Sequence, residues 1–133
     1  MNYQLQPIGY IRTPHQTIDT CPRNIEEEGP VCQIIIDESY TDGLYGLAPG
    51  DRVVLLYWLD QAALTSLRLP SRKTGEIKGI FALRTPHRPN PIGLAKVVID
   101  EINSAGFTVR GLDCLDKTPL LDIKPAMTNK PCE

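Results

Sequence analysis

Four side chains able to grip an anion or the polar edge of a base stand close together in this chain: Arg84, His87, Arg88 and Asn90. Pro86, Pro89 and Pro91 are threaded between and just after them. Each proline fixes its own φ, lacks an N–H and pushes the preceding residue out of the helical region. Residues 84–93 are therefore expected to form a stiff, extended loop rather than a helix or an inner strand. Stiffness holds the polar groups in place before a ligand arrives and lowers the ordering cost of binding. Two guanidinium groups, an imidazole and an amide suit an anion or a base edge. The residues alone leave open a plain rigid surface loop with solvated arginines.

Three other places carry possible chemistry. Asp60 and Gln61 follow directly on the most apolar run, Val53 to Leu59, where they either cap a turn or face a cleft. Asp113 and Asp116 stand on either side of Leu115, with Lys117, Thr118 and Pro119 closing the turn. Two neighbouring carboxylates can act as acid and base, or cap turns. Cys21, Pro22, Arg23 and Asn24 form the centre of a long polar loop over 13–30, and loops of that length in compact domains are more often functional than idle. The cysteines at 21, 32, 114 and 132 make no C-x-x-C pair and no zinc spacing. No metal site is expected, and the thiols read as reduced in a cytoplasmic protein. There is no glycine-rich dinucleotide fingerprint.

The elements that must hold these groups are mostly strands. A chain of 133 residues is one domain by length. Its 12 prolines and 10 glycines are spread along it, which suits short strands joined by turns. Strands are expected within 3–11, starting late because of Pro7, and over 31–36, 53–59, 79–83, 94–102, 107–112 and 120–123. A hairpin turn falls at 103–106, and a short helix can begin near Tyr40. Trp58 is expected in the core. Residues 62–79 are polar and basic and are expected to be mobile. The fold class is all-β: a small, single-sheeted antiparallel β-barrel with long loops. No apolar run is long enough to cross a membrane. A net charge of −2 is unusual for a dedicated nucleic-acid binder. Any RNA contact must come from a local patch such as Arg68, Arg72, Lys73 and Lys78, or from two chains together.

FALRTPHRPNPIGL, ending at Leu94, and LDCLDKTPLLDIKP, from Leu112 to Pro125, resemble the two signature motifs of one family. It is the TrmO (TsaA-like) family of small β-barrel S-adenosylmethionine-dependent methyltransferases. Its best known members methylate N6 of a threonylcarbamoyl-adenosine beside the tRNA anticodon. PIGYIRTP, Pro22-Arg23-Asn24 and Asp60-Gln61 match more weakly. The likeness spans nearly the whole chain, placing the domain at 1–126 with a tail over 127–133, a minimal version without the longer members' C-terminal region.

The resemblance implies a homodimer that binds S-adenosylmethionine near its interface. Pro22, Arg23, Asn24, Asp60, Gln61, Arg84, Leu94, Asp113, Asp116, Lys117, Thr118 and Pro119 would line the donor site. Arg84 would pair with the donor carboxylate, and His87, Arg88 and Asn90 would serve the acceptor, with tRNA as the partner. The chain departs from the family pattern in four places. Asn24 stands for a glutamine, Asp51-Arg52 for Ser-His, Lys117 for a glycine and Ala126 for a tyrosine. An in-line methyl transfer needs positioning and exclusion of water rather than a metal or a covalent intermediate. A small-molecule or protein acceptor, and a non-catalytic donor-binding sensor, are the alternatives.

Overall fold

The computed structural model describes residues 2–17, 21–22 and 24–127. Strands β1 (Gly9–Arg12), β2 (Val31–Ile36), β3 (Arg52–Trp58), β4 (Arg68–Pro70), β5 (Ile77–Gly79), β6 (Ile92–Val98), β7 (Glu101–Asn103), β8 (Gly106–Arg110) and β9 (Thr118–Pro125) follow in chain order. Seven of them form one sheet in the order β6-β3-β9-β1-β2-β8-β7, antiparallel at every pairing. The other two, β4 and β5, make a separate ribbon. The fold is all-β, as the residue pattern implies. The ladder is open: β6 touches β8 without pairing with it, so the sheet curls around its core but does not close by hydrogen bonds.

Alternation explains the curl. Along β3 the side chains of Val53, Leu55 and Tyr57 turn inward, and along β6 Ala95 and Val97 meet them. Ile11, Ile34, Phe107, Val109, Leu112 and Leu120 are among the other core residues. Apolar surface on one face of each strand can be removed from water only by curling the sheet over it. A register shift between Leu56 and Tyr57 in the β3–β9 pair marks a bulge. The bulge changes the phase of β9, so Leu120 lies in the core and Ile123 packs against it as well.

Several expectations change. Trp58 is only half-buried, and Tyr57, at 2% exposure, is the core aromatic, because a period of two sends neighbours to opposite faces. Residues 62–79, for which no strand was expected, contain the β4–β5 ribbon. The strand expected over 79–83 ends at Gly79, the last residue of β5: Ile80–Ala82 is a single 3-10 turn, with Ile80 buried and Phe81 78% exposed. The strand expected over 94–102 begins at Ile92 and breaks after Val98 before β7. The β7–β8 hairpin turns where expected, with Asn103 opposite Gly106. Glu38–Leu44 is a short 3-10 helix.

Candidate active site

The proline loop is stapled at several points. Leu83 N–H donates to the Ile80 carbonyl at 3.2 Å and closes the 3-10 turn. Immediately after it, Arg84 Nη2 donates to the Leu94 carbonyl at 3.2 Å, across the loop's mouth. Arg88 Nη1 donates to the carbonyls of Leu83 at 2.8 Å and Thr85 at 3.2 Å. Its guanidinium carbon lies 5.7 Å from the Phe81 ring centroid. Arg88 thus folds the loop upon itself, and that self-bonding explains why it is half-buried.

His87 Nδ1 lies 2.8 Å from the Ala63 carbonyl. A carbonyl only accepts, so Nδ1 carries the proton and Nε2 keeps its lone pair in the neutral ring. At the far end, Leu59 N–H donates to Pro91 O at 2.8 Å, and Ile92 N–H to Asn90 O at 2.7 Å. The Asn90 side chain is exposed. Asp60 and Gln61 are exposed in the turn after β3, where Asp60 N–H donates to Trp58 O at 3.0 Å.

Beneath the loop, β3 and β6 bring Tyr57 opposite Gly93. A Cβ on Gly93 would run into the Tyr57 ring, so glycine here is a space requirement. The Tyr57 hydroxyl donates to Asp113 Oδ1 at 2.9 Å. Burial pushes the Tyr57 phenol far above its ordinary value, with the Asp113 charge next in size, so it stays a donor. Burial also pushes the Asp113 carboxyl above the usual carboxylate range. The Tyr57 hydroxyl, the residue's own N–H and the Arg84 charge oppose that rise. Arg84 is thus close enough to act electrostatically on both Tyr57 and Asp113.

The long N-terminal loop reaches the same point. Cys21 Sγ donates to the Asp113 carbonyl at 3.0 Å, which sets half-buried Pro22 beside it. Glu26 N–H donates to Gly111 O at 2.9 Å. Gly111 has φ 72° and lies against the Glu26 backbone, which leaves no room for a side chain. Asn24 is exposed, and Arg23 lies outside the described residues.

The second motif divides its two carboxylates. Asp116 accepts from Thr13 N–H at 3.0 Å and from Gln16 Nε2 at 3.4 Å, which is capping work. Thr118 is buried and donates to Leu115 O at 2.7 Å, while Pro119 pairs with Tyr10 within the sheet. Lys117, where the family pattern has glycine, has φ 68°. The turn thus keeps its left-handed residue despite the side chain. Lys117 is exposed and lines a separate cleft with Tyr10 and Arg12. Leu94 lies on the outward face of β6, 40% exposed and opposite Leu56.

Arg84, Tyr57 and the Cys21–Pro22 segment are thus brought from three distant parts of the chain to Asp113, their common partner. The family described as the tRNA-methyltransferase O N-terminal domain matches residues 10–130. The chain belongs to that family, one of S-adenosylmethionine-dependent methyltransferases. A probable S-adenosyl-L-methionine-binding protein of Rhizobium radiobacter, VirR, is 44% identical over 118 residues, covering 89% of this chain and 67% of that protein. An S-adenosyl-L-methionine-binding protein of Archaeoglobus fulgidus is 39% identical, covering 90% of this chain and 86% of the relative. The crystal structure of TrmO from Pseudomonas aeruginosa superposes with a TM-score of 0.76 at 30% identity. It covers 96% of this chain, which spans 57% of the TrmO chain.

Tyr57 and Gly93 were not singled out by the sequence. In isolation Tyr57 is one more apolar residue of a core strand. The only signal was its parity: it shares a face with Val53 and Leu55, and its hydroxyl needs a buried partner. His15 is a second such residue. It is 8% exposed and its Nε2 has no hydrogen-bond partner among the described residues.

Proposed function

We propose that this protein binds S-adenosylmethionine at the junction of Arg84, Asp113 and Pro22 and transfers its methyl group to N6 of a modified adenine in tRNA. The observation that carries the donor site is the convergence of the two motifs and the long loop on the Tyr57–Asp113 pair. A zwitterionic, cationic donor needs an anion and a cation held apart on a rigid frame. Asp113 and Arg84 supply these on the sheet rim, and the exposed Leu94 and half-buried Leu56 offer apolar surface for a heterocycle.

The donor supplies an electrophilic methyl on a positively charged sulfur. The protein's own contribution is placement and charge. Arg84 is pre-oriented by the Leu94 carbonyl to meet a carboxylate. Asp113, its Oδ1 occupied by Tyr57, directs its remaining capacity at a positive or hydroxyl group. His87 Nε2 is the group able to receive the proton that the acceptor nitrogen gives up. The exposed Asn90 side chain would accept hydrogen bonds from an exocyclic amine.

One feature supports a polyanionic acceptor despite the acidic total. The β4–β5 ribbon bears Arg68, Arg72, Lys73 and Lys78, all exposed, and leads straight into the proline loop. A homodimer is part of the same reading. The outward face of β6 exposes Ile92 and Leu94, opposite Trp58 and Leu56 of β3, before Lys96 interrupts it, and exposed apolar side chains grouped in this way favour a partner. The reading places the protein in the cytoplasm.

The test is incubation with methyl-labelled donor and cellular RNA, protein or small-molecule fractions. Label in tRNA that co-purifies with a methylated adenine is the expected result. Label only in another fraction would move the acceptor there, and donor binding with no labelled product would leave a sensor.

A further inference from the structure

We propose that Phe81, backed by Arg88, is a stacking platform for an unpaired base of the RNA acceptor. This rests on the reading of the protein as an RNA methyltransferase and adds a base contact to its acceptor side. Phe81 stands in the 3-10 turn Ile80–Ala82 that leads into the proline loop. The turn is tied at both ends: Ile80 N–H donates to Leu67 O at 3.0 Å, and Leu83 N–H to Ile80 O at 3.2 Å. Ile80 is 1% exposed and Phe81 78%. Burial of the first side chain thus fixes the second in solvent, where a large apolar ring gains nothing for the fold.

Two observations point to a base of a nucleic-acid strand. First, the ring is already paired with a cation held in place. The Arg88 guanidinium carbon lies 5.7 Å from the Phe81 ring centroid, and Arg88 Nη1 is tied to the carbonyls of Leu83 at 2.8 Å and Thr85 at 3.2 Å. The pair is therefore assembled before any ligand arrives, which lowers the ordering cost of binding. Arg88 Nε and Nη2 make no hydrogen bond among the described residues, so they keep donors for acceptor atoms beside the ring. An exposed aromatic with an arginine against it suits the flat face of an unstacked base. Second, charge selects the partner. Gly79, two residues before Phe81, pairs with Arg68 of the ribbon. From Arg68 to Lys78 that ribbon carries Arg68, Arg72, Lys73 and Lys78 against a single acid, Glu76. The ion pairs among the described residues, Arg110–Asp100 and Lys124–Asp122, engage none of these four cations. A second copy of the chain meeting this surface about a two-fold axis would set like charges against each other. A phosphodiester strand is attracted by the ribbon and offers bases to the ring. The bases of a duplex are stacked on one another, so the base taken comes from a loop or a single strand.

The experiment measures the binding of unfractionated tRNA across a salt series for the wild type, Phe81→Ala, Phe81→Leu and Phe81→Trp, with melting temperature and sedimentation alongside. Phe81→Ala and Phe81→Leu should weaken binding by about 5- to 150-fold, the scale of one lost base stack. The slope of log affinity against log salt should stay as in the wild type, because no phosphate contact is removed. Phe81→Trp should bind at least as tightly as the wild type, and all three variants should melt near it, since the ring is exposed. Wild-type affinity in Phe81→Ala, or full rescue by the apolar but non-aromatic Phe81→Leu, would overturn the platform while leaving the RNA reading intact. Dissociation of a dimer in Phe81→Ala would assign the ring to a protein contact and overturn it too. A wild type that binds the donor but neither binds nor methylates tRNA would overturn both.

Discussion

Replacing Tyr57 by phenylalanine tests the centre of the site. The substitution keeps the ring that fills the space over Gly93 and removes only the hydroxyl. Tyr57 is 2% exposed, and its hydroxyl is 2.9 Å from Asp113 Oδ1. A hydrogen bond to a charged acceptor contributes about 1.5–3 kcal/mol. Asp113 is only half-buried, so water will replace part of it, and the expected loss at neutral pH is about 1–2 kcal/mol. For a domain of this size that lowers the melting temperature by roughly 4–8 °C.

The loss should depend on pH. The folded carboxyl of Asp113 already lies above its unfolded value, chiefly through burial, and the tyrosine hydroxyl opposes that rise. Between the two values the native state holds more protons than the unfolded chain, so stability falls as pH rises through the window. Without the hydroxyl the folded value moves further up, the window widens and more stability is lost on reaching neutral pH. Thermal unfolding followed by circular dichroism from pH 4 to 8 should show the two proteins converging in acid and diverging toward neutrality. An Asp113→Asn background should abolish the divergence. A pH-independent difference, or none, would refute the argument that the hydroxyl serves to hold an ionised Asp113.

Three further outcomes follow from the same geometry. Arg84→Ala should weaken S-adenosylmethionine binding by at least about 10-fold in calorimetric titration, the scale of one lost charge-assisted contact; undiminished affinity would remove Arg84 from the donor site. Asn90→Ala should leave donor affinity near wild type and lower the rate of methyl transfer, whereas a wild-type rate would exclude the amide from acceptor orientation. Asp116→Ala should destabilise the fold by about 1 kcal/mol, because Thr13 N–H and Gln16 lose their acceptor. Its donor affinity should change less than that of an Asp113 variant, and an equal loss would give both carboxylates the same role.

Much of the strand pattern was legible along the chain. Val31–Ile36 and the apolar run from Val53 are continuous enough to declare strands, and Asn103 to Gly106 carries its own turn chemistry. The proline loop was equally plain, since proline constrains its own and its neighbour's backbone without regard to tertiary context. Where the reading failed, long-range contacts decided the outcome. Residues 80–83 look like a buried strand, yet Ile80 is anchored to the Leu67 carbonyl at 3.0 Å, and the following turn throws Phe81 outward. Trp58 outranks Tyr57 as a core residue by size, but the parity of β3 relative to β6 sends Tyr57 inside.

The motifs themselves marked the candidate groups: Arg84 with its proline frame, and Asp113 and Asp116 with their closing Thr-Pro. The order of residues along the chain could not divide labour between the two aspartates. Asp116 meets the backbone of Thr13, 103 positions away, and Asp113 meets Tyr57, 56 positions away. Local propensity acts over a few residues, so it determined the strands, the stiff loop and the turn types. The partner of a half-buried carboxylate is selected by packing of distant strands, because only the folded sheet brings a hydroxyl and a guanidinium to a charge that burial would otherwise neutralise.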